Sequence, residues 1–411
     1  MFGSMNKGTA EANSLGFAKA PADTRVVVAM SGGVDSSVTA ALLADQGYEV
    51  IGITLQLYDH GVAVQAKGAC CAGADIHDAR TVAGSLGIPH YVLDYESLFR
   101  KQVMDDFADS YMAGYTPIPC VRCNQTVKFK DLLTTARELD ADCLATGHYV
   151  RREMINSQPS LQRAVDDSKD QSYFLFATTP EQLGYLRFPL GNMTKAETRR
   201  LAEKFDLAVS DKPDSQDICF VPNGRYGDVV RRLRPGAIVP GIIRHLDGTV
   251  LGQHEGVIDY TIGQRRGLKI GGRKTDSEDN SPLYVVAIDA EKHEVIVGPQ
   301  SALACTDVYL SQFNWISPEL VDKGAAHSKE GLPVKVKLRN TASAAAARLL
   351  IGSGNKKNSH DESAVHIVLE TPEFGIALGQ AGVIYSGEND RLVLGGGWIA
   401  DAPTQACFDS V

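Results

Sequence analysis

The sequence predicts an α/β fold, with an N-terminal parallel-sheet domain, a small central module and a C-terminal all-β barrel. Apolar strand patterns alternate with helical patterns over residues 25–222, the order typical of a parallel sheet with crossover helices. Glycine and arginine become frequent over 223–282, and short strand patterns separated by turns fill 283–411. We expect residues 1–24 to form a flexible lead-in outside the folded domains.

The elements of the first domain are predicted from the period of their apolar residues. Short apolar or β-branched runs predict strands over 25–30, 49–57, 88–94 and 142–146. Helical spacing predicts helices over 37–46, 75–86, 97–113, 124–139 and 194–207. Two prolines predict a loop over 115–123, and turn residues predominate over 212–220. In such sheets the ligand lies beyond the carboxyl ends of the strands, where the strand order reverses.

The C-terminal third carries the alternation of half-buried strands. Strand patterns cover 283–289, 294–298, 333–339, 364–370, 381–387 and 390–399, and together they predict the barrel. The polar stretch 353–363 predicts either a hairpin loop or a disordered insert.

The segment 25–37, RVVVAMSGGVDSS, combines a strand, a glycine-rich turn and the start of a helix. This order directs backbone N–H groups and a helix N-terminus at one point, where an anion is favoured. Gly32 and Gly33 allow close approach of the backbone to a ligand, and Ser31, Ser36 and Ser37 add hydroxyl groups. The alternative is a plain strand–turn–helix connection capped by serines.

The loop lacks the lysine of a Walker P-loop, because no G-x-x-x-x-G-K-[ST] pattern occurs in the chain. Asp35 instead places a carboxylate in the predicted anion cradle, which suits Mg²⁺ bound to pyrophosphate. The loop resembles the pyrophosphate loop (PP-loop) of enzymes that split ATP between the α- and β-phosphates and adenylate a substrate. ATP and Mg²⁺, with no metal held by the protein alone, are therefore the expected cofactors.

Composition excludes several other classes of protein. The formal net charge of −9 argues against indiscriminate nucleic-acid binding, and we expect no DNA partner. Residues 225–274 carry ten Lys and Arg against four Asp and Glu, a local charge of +6 that suits one specific polyanion or a solvated face. No apolar run of about 18 residues predicts a membrane span, and residues 1–24 lack the apolar core of a signal peptide. We expect a cytoplasmic protein with no membrane partner.

Eight cysteines in so long a chain do not predict a disulfide framework. Cys120 and Cys123 form a C-x-x-C pattern next to a helix start and Arg122, a setting that favours a nucleophilic thiolate. The competing interpretation is half of a zinc or iron–sulfur site, completed by Cys70 and Cys71 or by Cys219. By itself Cys219 is typical of a buried structural cysteine.

A set of further motifs follows the loop in a fixed order. They are SGGVDSS, TPIPCVRCNQTVKFKDLL, ATGHYVR, KDQSYFL, DSQDICFVP, GIIRHLDGTVLGQHEGVIDYTIGQRRGL and LGQAGVIYSGE…VLGGGWI. In this order they resemble the tRNA-specific 2-thiouridylase family over essentially everything after residue 24. The resemblance implies ATP-dependent 2-thiolation of the wobble uridine of tRNA, on an N-terminal PP-loop domain, a central module and a C-terminal β-barrel.

The resemblance also implies a mechanism. ATP activates the C2 oxygen of uracil as an O-adenylate, pyrophosphate leaves, and a sulfur nucleophile then displaces AMP. Cys219 matches the cysteine that carries a persulfide received from a sulfur-relay donor protein. Cys123 matches the nucleophile that attacks this persulfide or helps to release its sulfur, which leaves a Cys123–Cys219 disulfide for a reductant to reset.

Binding residues carry over by position in the same motifs. The ATP contacts implied are Ala29, Met30, Ser31, Gly32, Gly33, Val34, Asp35, Ser36, Leu55 and Gly147. The tRNA contacts implied are Lys169, Asp170 and Gln171, although KDQSYF also fits the start of an amphipathic helix.

Two departures from the family pattern affect this assignment. Many members have N-P-D ahead of the nucleophile, with the aspartate as a proposed general acid or base, where this chain has Ile118, Pro119 and Cys120. Either Cys120 takes a share of the thiol chemistry, or another group or water transfers the proton. The barrel's R-Y-R-Q stretch is here Arg339-Asn340-Thr341-Ala342, so only Arg339 carries over as a tRNA contact.

Three rival functions have distinct signatures. An amidotransferase-type ligase of the same loop class would need a glutaminase domain or ammonia entry. An iron–sulfur tRNA thiolase would be brown when it is purified without oxygen. A catalytically silent tRNA-binding protein would not release pyrophosphate in response to tRNA, and the presence of Asp35 with both candidate thiols argues against it.

Overall fold

The computed structural model describes residues 12–58, 71–214, 217–221, 224–270, 282–321, 323–352 and 365–403. The predicted insert at 353–363 and Cys70 lie outside these residues. The chain forms two compact units: the first consists of the described parts of 1–97, 127–172 and 181–216, and the second of 98–126, 173–180 and the described parts of 217–411. Among the described helices, none is long and apolar enough to cross a membrane.

The first unit contains seven described strands. They are β1 (Arg25–Ala29), β2 (Glu49–Gln56), β3 (His90–Asp94), β4 (Cys143–Ala145), β5 (Val150–Ile155), β6 (Gln158–Arg163) and β7 (Leu186–Arg187). Five of them form a parallel sheet in the order β3-β2-β1-β4-β7, and β5 and β6 pair as an antiparallel hairpin. The predicted parallel sheet is confirmed, whereas the short hairpin was not predicted.

The order of the parallel sheet reverses between β1 and β4, since β2 and β3 lie on one side of β1 while β4 and β7 extend the other. The connection after β1 and the turn after β4 therefore flank the switch point, where ligands bind in open parallel sheets. Apolar side chains of β1 and of the helix that follows it share one buried core, which includes Val26, Val28, Val38 and Leu43.

Helical segments connect these strands and extend into the second unit. Helical bounds are Val34–Asp45, Cys71–Leu86, Glu96–Phe99, Arg100–Met104, Asp105–Met112, Pro119–Cys123, Asn124–Asp131, Leu132–Glu138, Pro180–Tyr185, Lys195–Lys204, Tyr226–Leu233 and Lys323–His327. Arg100–Met104 and Asn124–Asp131 are π-helical stretches inside longer helical runs. The predicted 115–123 loop is wrong over its last five residues, because Pro119–Cys123 form a helix whose first turn contains Pro119, where the missing N–H costs nothing.

Part of the predicted lead-in is folded. Leu15 is 7% exposed and belongs to the core of the first unit. Its carbonyl accepts a hydrogen bond of 2.7 Å from Arg187 Nε, and the Arg187 guanidinium lies 4.6 Å from the Phe17 ring centroid. Residues 12–24 are thus anchored by packing that a composition-based prediction does not detect.

The described part of the second unit contains two sheets, built from strands β8 to β17. Their bounds are β8 (Gly241–His245), β9 (Val250–His254), β10 (Tyr284–Asp289), β11 (Glu294–Gly298), β12 (Ala304–Trp315), β13 (Leu332–Lys337), β14 (Ala345–Ile351), β15 (Val365–Phe374), β16 (Ala381–Ser386) and β17 (Leu392–Asp401). The smaller sheet has the order β10-β11-β8-β9. β10 and β11 therefore belong to this central sheet, and their predicted place in the barrel is wrong.

The six strands β12 to β17 form a closed antiparallel barrel. Neighbours follow the order β12-β15-β14-β13-β16-β17, and β17 pairs back onto β12. The predicted all-β barrel is confirmed, and so is the α/β class of the chain as a whole. Closure removes the free edges that would otherwise expose unpaired backbone groups.

Candidate functional site

The loop after β1 is held in shape by its own serines. The Ser36 hydroxyl accepts from the Ser31 backbone N–H at 3.1 Å and donates to the Gly33 carbonyl at 3.1 Å. The Ser37 hydroxyl also donates to the Gly33 carbonyl, at 2.9 Å. The helix then begins at Val34. The N-cap residue Gly33 has no side-chain cap, so the serines hold the loop in one conformation next to a helix N-terminus through these hydrogen bonds and not by capping.

Two glycines make this loop possible. Gly32 has φ +75°, and a Cβ there would lie 2.1 Å from the carbonyl oxygen of Asp75. Gly147 follows β4, and a Cβ there would lie 2.8 Å from the carbonyl carbon of Asp35. No side chain fits at either position, so the turn after β4 lies directly against the backbone of the loop.

Asp35 is the carboxylate of this site, and two side chains bind it. Its Oδ1 accepts hydrogen bonds from the Tyr149 hydroxyl at 2.9 Å and from Lys195 Nζ at 2.7 Å. The Lys195 side chain is 12% exposed, whereas that of Asp35 is 34% exposed. A carboxylate that is still partly open suits Mg²⁺, which takes one or two protein carboxylates together with phosphate oxygens. Among the described residues, no group of three or more His, Cys, Asp or Glu is placed to hold a metal ion.

Asp214 lies next to this pair and binds several cations. Its Oδ1 is 2.8 Å from Lys195 Nζ and 2.9 Å from an Arg199 Nη, and its Oδ2 is 2.8 Å from Lys169 Nζ. Burial opposes ionisation of the Asp214 carboxyl, but hydrogen bonds from Lys169 and Lys195 prevail and lower its pKa to about 2. Asp214 is thus charged throughout the physiological range.

A second lysine supports the other side of the loop. Lys212 Nζ donates to the Gly32 carbonyl at 2.9 Å, to Asp75 at 2.7 Å and to Asp78 at 2.6 Å. Lys195, Lys212 and Asp214 were not predicted at this site, because they are distant in sequence from the loop; Asp214 opens the motif DSQDICFVP, but nothing in that motif places it beside Asp35. The helix start at Thr194, with its capping box, was the one local signal that fixed the position of Lys195.

The remaining predicted ATP residues lie around the same edge of the sheet. Ala29 ends β1, Met30 is buried below the loop, and Leu55 lies near the end of β2, paired with Leu93 of β3. Beside Gly147, His148 is partly buried, and this burial lowers the pKa of its imidazole to about 3, helped by Lys128. This imidazole is therefore neutral, with Nδ1 at 2.8 Å from the Thr146 hydroxyl.

The stretch 169–171 is tied to the same site. The Gln171 side chain accepts from the Tyr149 backbone N–H at 2.9 Å, and Lys169 binds Asp214 as described. The Asp170 side chain is only 1% exposed and accepts hydrogen bonds from Ala164 and Ser172. Asp170 therefore holds the turn, while its neighbours on either side reach the residues around Asp35.

The cysteine loop lies in the second unit. Cys120 is in the first turn of the Pro119–Cys123 helix and is partly exposed, whereas Cys123 is 6% exposed. Arg122, between them, lies with Nε 3.6 Å from Asp106 and its guanidinium 4.5 Å from the ring centroid of Trp398 in the barrel. These contacts fix the helical turn that carries both thiols.

Cys219 is exposed, but its neighbours are anchored. Phe220 is 2% exposed and packs edge-on against Phe107, with ring centroids 5.2 Å apart. Asp217 accepts a hydrogen bond of 2.9 Å from the Tyr226 hydroxyl. The interpretation of Cys219 as a buried structural cysteine is therefore wrong: its side chain is presented to solvent on a fixed turn.

The helical run 98–112 contacts both cysteine segments. Phe107 packs on Phe220 next to Cys219, and Asp106 pairs with Arg122 next to Cys123. Tyr226 provides a further link, because its hydroxyl donates to Asp217 at 2.9 Å, and burial, this bond and the nearby Cys120 raise the pKa of the hydroxyl to about 12. The segments that carry Cys120, Cys123 and Cys219 thus all pack against the helical run 98–112.

Two other described cysteines are unsuited to thiol chemistry. Burial raises the pKa of the Cys143 thiol to about 12 and that of the Cys305 thiol to about 11. The thiolate, which is the reactive form, is therefore disfavoured at both. Cys71 lies at the start of a described helix, but its side chain is outside the described residues, as is Cys407. No disulfide joins the described cysteines in this structure.

Several arginines of the basic stretch 225–274 are paired with acids. Arg234 binds Asp105 and Asp109, Arg231 binds Asp259, and Arg244 binds Glu294. These arginines therefore stabilise the second unit, which leaves the exposed Arg265 and Arg266 as the better candidates for contact with a polyanion. Arg339 is partly exposed, with an Nη 3.8 Å from Glu373.

Three family profiles match the chain in succession. They are described as a tRNA methyl transferase HUP domain over residues 24–223, a tRNA methyl transferase PRC-barrel domain over 228–299 and an aminomethyltransferase beta-barrel domain over 305–399. The second profile ends just after β11, in agreement with the strand pairing of the central sheet.

Proteins of known name match over almost the whole chain. A tRNA-specific 2-thiouridylase MnmA from Rhodospirillum centenum is 60% identical over 404 residues, 96% of this chain and 98% of that protein. One from Hyphomonas neptunium is 58% identical over 388 residues, 94% of each chain. A solved 4-thiouridine synthetase–RNA complex with bound ATP is 15% identical, with a TM-score of 0.29, and covers 51% of each chain. That last likeness is too distant to inform the site.

Proposed function

The chain belongs to the tRNA-specific 2-thiouridylase family, and from that premise we propose that it catalyses ATP-dependent 2-thiolation of the wobble uridine of tRNA. Full-length similarity to thiouridylases from other organisms is the observation that carries the proposal. The reaction takes place in the cytoplasm, with tRNA and a persulfide donor protein as partners and ATP with Mg²⁺ as the cofactors.

The geometry of the first unit supports the adenylation step. The C2 oxygen of uracil attacks the α-phosphorus of ATP, the bond to pyrophosphate breaks, and an O-adenylate forms. Pyrophosphate is a dense anion that fits a helix N-terminus preceded by a glycine-tight loop. Asp35, whose carboxylate is still partly open, would hold Mg²⁺ on that pyrophosphate, and the ion would supply further charge neutralisation. Gly147 keeps the facing turn close without filling the space with a side chain.

The second unit supports the sulfur-transfer step. The terminal sulfur of a persulfide on Cys219 attacks C2, and the C2–O bond breaks with loss of AMP. The Cys123 thiolate then attacks Cys219 Sγ, so that the S–S bond breaks toward the base and a Cys123–Cys219 disulfide forms. A cellular thiol must reduce this disulfide before the next turnover. An exposed Cys219 can accept sulfur from a donor protein, while a buried Cys123 is protected from oxidation.

Proton transfer near the base is the point at which this chain departs from many relatives. Cys120 stands where they have an aspartate, and it lies close enough to Tyr226 to help raise the pKa of that hydroxyl, which donates to Asp217. Asp217, two residues before Cys219, therefore provides a carboxylate on the segment that carries this cysteine. Both earlier alternatives remain predictions: a share of the thiol chemistry for Cys120, or proton transfer by another group.

The test is conversion of uridine to 2-thiouridine in unmodified tRNA, with ATP, Mg²⁺ and a persulfide or sulfide source. Nucleoside mass spectrometry measures the product, and Asp35→Ala is the loop control. A thiolated wobble base that forms with the unaltered protein but not with Asp35→Ala supports the proposed substrate, the proposed reaction and the role of the loop. AMP formation without a thiolated base would instead identify a different acceptor for the adenylate and would favour a ligase.

The roles of the cysteines are tested separately. We expect Cys123→Ser and Cys219→Ser each to abolish thiolation with persulfide donors while ATP still binds. Cys143→Ser is the matched control, because this cysteine is buried in the other unit and its thiolate is disfavoured. Retained activity in Cys123→Ser would remove the nucleophile from the mechanism.

A further inference from the structure

A chain of charged contacts connects Lys169 to Asp35 within the first unit. Lys169 Nζ lies 2.8 Å from Asp214 Oδ2, Asp214 Oδ1 lies 2.8 Å from Lys195 Nζ, and Lys195 Nζ lies 2.7 Å from Asp35 Oδ1. Signs alternate along these contacts, so the two inner groups, Asp214 and Lys195, each have an oppositely charged partner on both sides, and Arg199 also binds Asp214 Oδ1 at 2.9 Å. Lys195 is shared between the two carboxylates.

A second connection runs through neutral groups. Gln171 and Tyr149 exchange two hydrogen bonds, from the Tyr149 N–H to the Gln171 side chain at 2.9 Å and from the Gln171 N–H to the Tyr149 carbonyl at 3.0 Å. The Tyr149 hydroxyl then donates to Asp35 Oδ1 at 2.9 Å. Lys169 and Gln171 are therefore each connected to Asp35 Oδ1, Lys169 through Asp214 and Lys195, and Gln171 through Tyr149.

The residues in this series of contacts differ in burial, so solvent and ligands reach its Lys169 end more easily than Lys195. Lys169 is the most open member, with 38% of its side chain exposed, whereas Lys195 is 12% exposed. A polyanion can therefore reach Lys169 from solvent and cannot reach Lys195 as easily. Charge interactions are also less screened at the inner members than at the surface.

We propose that Lys195 and Asp214 are positioning residues that make the availability of Asp35 depend on tRNA, an inference that rests on the proposed function. A tRNA phosphate that binds Lys169 weakens the hold of Lys169 on Asp214. Asp214 then attracts Lys195 more strongly, and Lys195 releases Asp35 Oδ1. Asp35 becomes available for the Mg²⁺ that accompanies pyrophosphate. ATP is thereby engaged productively only when its acceptor is present.

The coupling is measured as a ratio of two binding constants. The probe is an ATP analogue with a methylene group between the α- and β-phosphates, titrated with Mg²⁺ in the presence and absence of an unmodified tRNA transcript. We expect saturating tRNA to lower the analogue's Kd by roughly tenfold in the unaltered protein, within the usual range of coupling between two sites. The same ratio must appear in the tRNA Kd when the analogue is saturating.

Three variants distinguish the proposed relay, the series of contacts from Lys169 through Asp214 and Lys195 to Asp35, from simple loss of structure. In Asp214→Asn and in Lys195→Met, each ligand still binds alone, and the Kd of the analogue changes less than twofold when tRNA is added. Glu181→Gln is the matched control, because it removes an ion pair with Arg137 on the surface of the same unit, and it should keep the full ratio. Thermal melting confirms that all three variants are folded.

The outcomes distinguish this inference from the function on which it rests. The relay is overturned if Asp214→Asn keeps the full ratio of analogue Kd values without and with tRNA. It is also overturned if the unaltered protein binds both ligands without coupling. Either result leaves the proposed 2-thiolation intact. Failure of the unaltered protein to bind the tRNA at all would overturn both. Loss of coupling in both variants, with Glu181→Gln unchanged, supports the relay.

Discussion

Gly32 and Gly33 are adjacent in the loop after β1, but the structure predicts opposite effects for an added methyl group. Gly32 has φ +75°, and its Cβ would lie 2.1 Å from the carbonyl oxygen of Asp75. Gly33 has φ −92°, which any residue can adopt, and the nearest atom to its Cβ would be Ser31 Oγ at 3.6 Å. We therefore expect Gly32→Ala to be severely destabilising and Gly33→Ala to be tolerated.

The expected cost follows from two terms. An alanine in the left-handed region costs roughly 1–2 kcal/mol. Forcing a methyl group into packed backbone costs about 1–3 kcal/mol more, because the helix that carries Asp75 must move. The sum is about 2–5 kcal/mol, which corresponds to a fall in melting temperature of roughly 4–20 °C for a unit of this size. Gly33→Ala replaces an N-cap glycine and should cost less than about 1 kcal/mol.

The assay compares the thermal melting of both variants with that of the unaltered protein, together with Mg²⁺-dependent binding of the ATP analogue. Gly32→Ala should melt earlier and lose the analogue, since its carbonyl is also the group that Lys212 binds. Melting of Gly32→Ala within 1 °C of the unaltered protein would refute the reasoning. So would an equal loss of stability in the two variants, because the geometry separates them.

The remaining predictions concern three other side chains. Because the pKa of His148 is about 3 when folded and near 6.5 when unfolded, the unfolded chain binds the extra proton between these values. Stability should therefore fall as the pH decreases from 6.5 toward 3, by up to about 1.4 kcal/mol per pH unit. In His148→Asn, the free energy of unfolding measured by denaturant titration should depend less steeply on pH over this range. Tyr226→Phe removes the hydrogen bond to Asp217 but keeps the ring, and single-turnover sulfur transfer from Cys219 should slow by roughly tenfold, whereas a rate within twofold would contradict the anchoring role. Lys212→Met should lower the free energy of unfolding by roughly 1–2 kcal/mol, and an unchanged urea midpoint would show that this lysine does not support the loop.

The strand–loop–helix around Asp35 was predictable because its signals are local. A β-branched run, two glycines and a helical pattern all lie within 25–46, and each element forms from its own residues. The same is true of most strands, although the β5–β6 hairpin and β7 were missed, and so were two barrel strands, Ala304–Trp315 and Ala345–Ile351. The first is interrupted by polar residues, and the second is rich in alanine, so neither shows clean alternation.

Partners in space were harder to predict than elements. The patterns of β10 and β11 identify strands, but nothing in a single strand says which sheet it joins, and both pair in the central sheet. For the same reason Lys195 and Asp214 could not be placed at the loop. Their distance in sequence from Asp35 hides a contact of 2.7 Å that only the folded sheet creates.

Burial sorts the described cysteines by the chemistry that each can perform. Cys143 and Cys305 lie in apolar cores, where burial raises the pKa of the thiol and suppresses the thiolate. Cys219 is exposed, yet Phe220 beside it is locked between aromatic rings, so the thiol is accessible without being loosely held. A sulfur carrier needs both properties, because it must meet a donor protein and then present the sulfur to a base in one geometry. The residues around Cys219, taken without the family resemblance, favoured a buried cysteine, and its exposure in the fold is what makes the carrier role implied by the resemblance physically reasonable.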